Sequence, residues 1–69
     1  MIIIYSILLY LHAITPVAPY TQQQMDAIIL SQQQQILTVQ QSPDLMQNQI
    51  PQYNEEAGYV TIFNPDENP

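Results

Sequence analysis

YTQQQMDAIILSQQQQILTVQQ, residues 20–41, decides how the chain is organised. Thr21 followed three residues later by Gln24 forms a capping box. In that motif the cap hydroxyl accepts from the third helical N–H, and the glutamine side chain reaches back to the N–H of the cap. Tyr20 before the cap and Met25 at the fourth helical position are placed for a hydrophobic staple. Ser42-Pro43 closes the stretch, because a proline ring disfavours helical geometry at the residue before it.

Between these bounds Gln22, Met25, Ile29, Gln32, Ile36 and Val39 step by three and four, the pattern of a packed helical seam. Ile28 flanks the seam and widens it. Gln32 interrupts it, and a polar seam residue costs stability while setting register or partner number. Leu30 and Leu37, seven apart, form a second and narrower stripe. The seam (Met25, Ile28, Ile29, Gln32, Ile36, Val39) and the second face (Leu30, Leu37) are therefore predicted to bind partner chains. The glutamine runs at 22–24 and 32–35 read as an uncharged polar face, since Gln is a fair helix former. The seam is short for a free coiled coil and lacks the usual flanking charges. Packing into a bundle or groove therefore stands beside homo-oligomeric pairing.

Working outward, residues 1–19 (MIIIYSILLYLHAITPVAP) carry no formally charged side chain and form a hydrophobic anchor segment. The sequence admits three readings of it. A helix from Met1 to Tyr20 is just long enough, at about 1.5 Å per residue, to cross a bilayer core of about 30 Å. A secretory signal is weaker, because the positive n-region and a clean small-residue cleavage pattern are both missing. Burial against protein, as helix or strand, is the third reading, and a run apolar on all sides cannot be assigned by period alone. His12 is the single histidine and offers no ligand cluster.

Beyond residue 41, SPDLMQNQIPQYNEEAG lacks a sustained period and reads as an extended strap, with Leu45, Met46, Ile50 and Tyr53 as isolated anchors. Gly58 opens YVTIF, a strand-like run over 59–63 bounded by Asn64-Pro65. One strand is not stable alone. Tyr59, Val60, Thr61, Ile62 and Phe63 are thus predicted to pair with another chain or with the N-terminal run. NPDENP reads as an acidic, turn-forming terminus.

Composition narrows the function class. The chain has 69 residues, no Lys or Arg, six acids and a net charge of -6. Phosphate neutralisation depends on Lys and Arg, so nucleic acid is an unsuitable partner. There is no cysteine, hence neither a disulfide nor a thiolate site. One glycine rules against a phosphate loop, and a lone His without Cys or Lys rules against the usual nucleophile–base constellations. No catalytic, cofactor-binding or metal-ligating residues are expected. A chain this short usually draws stability from a partner.

The expected fold is mainly α: an N-terminal hydrophobic helix, a central amphipathic helix over about 22–41, and an extended tail with one strand over about 59–63. On this reading the segments 1–19, 20–41 and 42–69 do not make an autonomous globular domain. The expected function is that of a small non-enzymatic structural or accessory subunit, such as a minor virion component or a membrane-complex subunit. Its partners would be other protein subunits and, through the head, a lipid bilayer. An acid-ended tail could lie on the extracytoplasmic side without breaking the positive-inside rule. The alternative is a secreted or membrane-tethered binding peptide with residues 1–18 as its targeting segment.

Overall fold

The computed structural model describes residues 2–63. It is mainly helical, with a short two-stranded parallel sheet. The acidic terminus expected at 64–69 lies outside the described residues.

Helix α1 spans Ile2–Tyr10. Successive helical positions lie about 100° apart, and Ser6, Ile7, Leu8 and Leu9 are all buried in a row. The stretch Ser6–Leu9 is therefore covered on every side, while Ile3 near the start of the helix is 41% exposed. The helix does not run on to Tyr20. It stops in a Schellman motif: the Ala13 N–H donates to the Leu8 carbonyl at 2.9 Å and the His12 N–H to the Leu9 carbonyl at 3.0 Å. His12 takes the left-handed position at φ 61°, which glycine usually occupies and which costs an L-residue about 1–2 kcal/mol. The chain then turns through residues 11–18, where the Thr15 N–H donates to the Tyr20 hydroxyl at 3.0 Å.

Strand β1, Pro19–Thr21, follows. Thr21 both ends β1 and caps helix α2, Gln22–Ser31. The capping box is complete: the Gln24 N–H donates to Thr21 Oγ1 at 3.0 Å, and the Thr21 N–H to Gln24 Oε1 at 2.9 Å. Gln22 Nε2 donates to Asp26 Oδ1 at 2.9 Å one turn later, tying down the acid on this helix.

The single helix expected over about 22–41 is two helices, α2 and then α3, Gln33–Gln40, joined at Gln32. Gln32 leaves helical geometry at φ -104°, ψ 10°. Its N–H is shared between the Ile28 and Ile29 carbonyls at 3.0 and 3.2 Å. The Ser31 hydroxyl donates to the same Ile28 carbonyl at 2.8 Å. Side chains that compete for a helical carbonyl often bend a helix, although the same kind of bond from Thr38 to the Gln34 carbonyl leaves α3 unbroken. Both helices still turn one face inward, with Met25, Ile36 and Val39 buried.

The tail is the largest departure from expectation. Residues 43–57 are helical rather than extended. The Ser42 hydroxyl accepts from the Leu45 N–H at 3.3 Å and its carbonyl from the Met46 N–H at 3.0 Å, with Pro43 opening the turn. Serine at the cap and proline at the first helical position make a helix start, so Ser42-Pro43 both stops α3 and begins the next segment. Leu45–Gln49 is a π-helical turn, closed by the Ile50 N–H on the Leu45 carbonyl. Pro51 explains the widening: it has no N–H, and its ring would press on the carbonyl four residues back. A 3₁₀ turn, Ile50–Tyr53, and a short helix α4, Asn54–Ala57, complete the segment.

Strand β2 is Thr61–Phe63 and pairs parallel to β1 in the register Pro19↔Thr61, Tyr20↔Ile62, Thr21↔Phe63. It is shorter than the run expected over about 59–63, because residues 58–59 form a turn.

One hydrophobic cluster takes side chains from all three sequence segments: Ile7, Leu8, Leu9 and Ile14 from the head, Met25, Ile36 and Val39 from the middle, Ile50 and Ala57 from the tail. Leu45, Met46 and Tyr53 pack against it half-buried. Complete burial of a side chain such as Ile7 or Leu8 contributes about 1.5–3 kcal/mol. Two specific contacts join the head to the tail. Ser6 Oγ, fully buried, donates to Asn54 Oδ1 at 2.7 Å. The Tyr10 and Tyr53 rings meet edge to face with centroids 6.0 Å apart, a geometry that aromatic quadrupoles favour.

Candidate interaction surfaces

The seam residues and the second stripe part company in the fold. Met25, Ile36 and Val39 are buried and Ile28, Ile29 and Gln32 half-buried, so the seam is taken up by the chain's own core. Leu30 and Leu37 point away from it, 70% and 46% exposed. Each lies on the outer side of its own helix, Leu30 on α2 and Leu37 on α3. Their neighbours on these helices are mostly glutamines, and no charged side chain lies between Asp26 and Asp44. Leu30 has Asp26 one turn before it on α2, held by Gln22, whereas Leu37 has only uncharged neighbours on α3.

The tail strand shows a second such surface. Burial alternates along the run: Tyr59, Thr61 and Phe63 are exposed, Val60 and Ile62 half-buried. A period of two is what a strand with one packed face produces. Val60 and Ile62 pack on the core, which leaves Tyr59 and Phe63 outward at 63% and 54% exposure.

Two further features have no signal in the sequence. Val17, between Pro16 and Pro19, is 87% exposed. A shallow cleft of about 320 Å³ lies between β1 and α2, lined by Pro19, Tyr20, Gln24, Ala27 and Ile28. The Gln24 side chain in it is committed to the capping box through its oxygen. Spacing alone does not reveal the cleft, because its walls come from a strand and from the helix that the strand caps.

His12 is exposed at the end of α1 and serves as its left-handed stop. Among the described residues no three His, Asp or Glu side chains gather to hold a metal ion. Among the same residues no buried side-chain nitrogen or oxygen lacks a hydrogen-bond partner. No helix of the described residues is long and apolar enough to cross a membrane.

No family model, curated protein or solved structure matches this chain. The exposed apolar side chains and the charge balance around them are therefore the features that bear on function.

Proposed function

We propose that the chain is a small, non-enzymatic accessory or structural subunit that works by contact with other protein subunits. One observation supports this most: the core absorbs the long seam of α2 and α3, yet Leu30 and Leu37 remain in solvent, with mostly glutamines and a single acid, Asp26, around them. A small protein that leaves such residues out on the side opposite its core is suited to docking. Neutral glutamines around them allow the face to be covered with little charge desolvation. The absence of Lys and Arg favours a protein surface over nucleic acid or an anionic membrane. A place within a larger particle or membrane complex fits this chemistry.

The test compares the wild-type chain with a Leu30→Glu/Leu37→Glu variant in its native source, following its sedimentation with assemblies under mild detergent. Both substitutions are on the surface, so helical circular dichroism should be unchanged. The wild-type chain is expected in a large complex and the variant as free chain. Recovery of the wild-type chain solely as a free monomer would reject the subunit reading.

A further inference from the structure

We infer that the partner covering Leu30 is a protein surface bearing a Lys or Arg, whose cation pairs with Asp26 while an apolar side chain beside it enters the cleft between β1 and α2. This rests on the subunit reading and names the chemistry of the partner at that face.

Three features meet on the outer side of α2. Leu30 follows Ala27 by three residues and Asp26 by four, so it sits one turn on and between the two. Ala27 is exposed and forms one wall of the cleft, with Tyr20 and Ile28 among the others. The cleft and Leu30 are therefore neighbours on one apolar surface, and Asp26 stands at its edge.

Asp26 is the one acid of α2 and α3, and the exception to the neutrality of their outer sides. Gln22 Nε2 holds its Oδ1 at 2.9 Å, and among the described residues its Oδ2 accepts no hydrogen bond. Asp26 is exposed, so water serves that oxygen in the free chain. A partner seated on Leu30 displaces water one turn away. A carboxylate taken from water costs free energy unless it is paired. The chain has no Lys or Arg to make that pair, and its one histidine, His12, ends α1. The cation is therefore the partner's. A Lys or Arg side chain suits both contacts, because its aliphatic stem can lie on Leu30 while its head reaches Asp26.

The same count argues against a second copy on this face. Two copies would bring acid toward acid with no Lys or Arg on either side, each chain carrying a net charge of -6. Like charges juxtaposed across an interface suppress the pairing.

The experiment follows the full-length chain in its native source by sedimentation under mild detergent, using charge variants whose helical circular dichroism matches wild type. Asp26→Lys is expected to lower the fraction of chain in large complexes roughly tenfold, since it sets like charges together. Asp26→Asn, which removes only the charge, should lower it roughly threefold. Ala27→Gln, which crowds the cleft without changing charge, should lower it as well. Asp44→Lys, an acid on another segment, should leave it unchanged. An Asp26→Lys chain that assembles as fully as wild type, or more fully as a contact between two copies would, overturns the inference. Equal losses from Asp26→Lys and Asp44→Lys overturn it too. A wild-type chain found solely as free monomer rejects the subunit reading and this inference with it, whereas assembly untouched by Asp26→Lys rejects the inference alone.

Discussion

Helix α1 and residues 42–57 are opposites in sequence and partners in space. α1 is apolar at nearly every position, whereas 42–57 mixes amides, prolines and acids with a few isolated apolar anchors. A helix that is apolar all round has no face it can give to water, so it needs cover from several elements. The covering segment has the reverse need. Its few anchors cannot make a core alone, but they suffice once Ile50, Tyr53 and α4 meet the surface of α1 and the turn carrying Leu45 and Met46 meets α3. The lesson is that a segment without period can still be helical when its order comes from what it covers.

This comparison can be broken most severely at the middle of the contact. Leu8 and Ile50 are both fully buried, one on each side. Leu8→Ala and Ile50→Ala are each expected to cost about 2–5 kcal/mol, read from urea denaturation followed by circular dichroism. If the two segments form one core, both variants lose helix cooperatively. Loss confined to residues 42–57 in the Ile50→Ala chain would mean that the cover is separable from α1.

A finer probe is the hydrogen bond between Ser6 and Asn54. A double-mutant cycle with Ser6→Ala and Asn54→Ala is expected to give a coupling of about 0.5–1.5 kcal/mol, the usual net worth of such a bond. Additive effects within about 0.3 kcal/mol would show that the two sites are energetically independent.

The smallest expected effect has the opposite sign and tests where α1 ends. His12→Gly relieves the left-handed strain and should raise stability by about 0.5–1 kcal/mol, seen as a higher unfolding midpoint. His12→Val, β-branched at the same φ of 61°, should lower it. If glycine lowers stability there, the helix does not stop at this residue and the head continues toward Thr15.

Several elements are legible from residue type and spacing. The Thr21–Gln24 box and the inward seam of α2 and α3 depend on residues within a few positions of one another, and such local patterns survive into the fold. The strand over Thr61–Phe63 is legible for the same reason, whereas its parallel partner at Pro19–Thr21 is not: the N-terminal run offered as a pairing partner is helix α1. Four further features are not. His12 gives no signal for a left-handed stop, because glycine normally takes that place. The break at Gln32 coincides with the Ser31 hydroxyl on the Ile28 carbonyl, a contact that spacing does not single out. Ser42-Pro43 is a stop and a start in the same two residues, and the stop masks the start. Leu30 and Leu37 stand out as a stripe, but their exposure depends on which face the core occupies.

The sequence by itself determined the local chemistry: a charge-free apolar head, a capped amphipathic middle, an aromatic and β-branched strand, and a chain without cations. These follow from side-chain type and spacing, which act over one or two turns. Only the tertiary structure decided that the head is covered by the tail, that the seam is used internally, and that Leu30 and Leu37 stay exposed. Those outcomes turn on which apolar surfaces meet across long stretches of chain. Hydrophobic burial is non-directional and does not record its partner in the sequence.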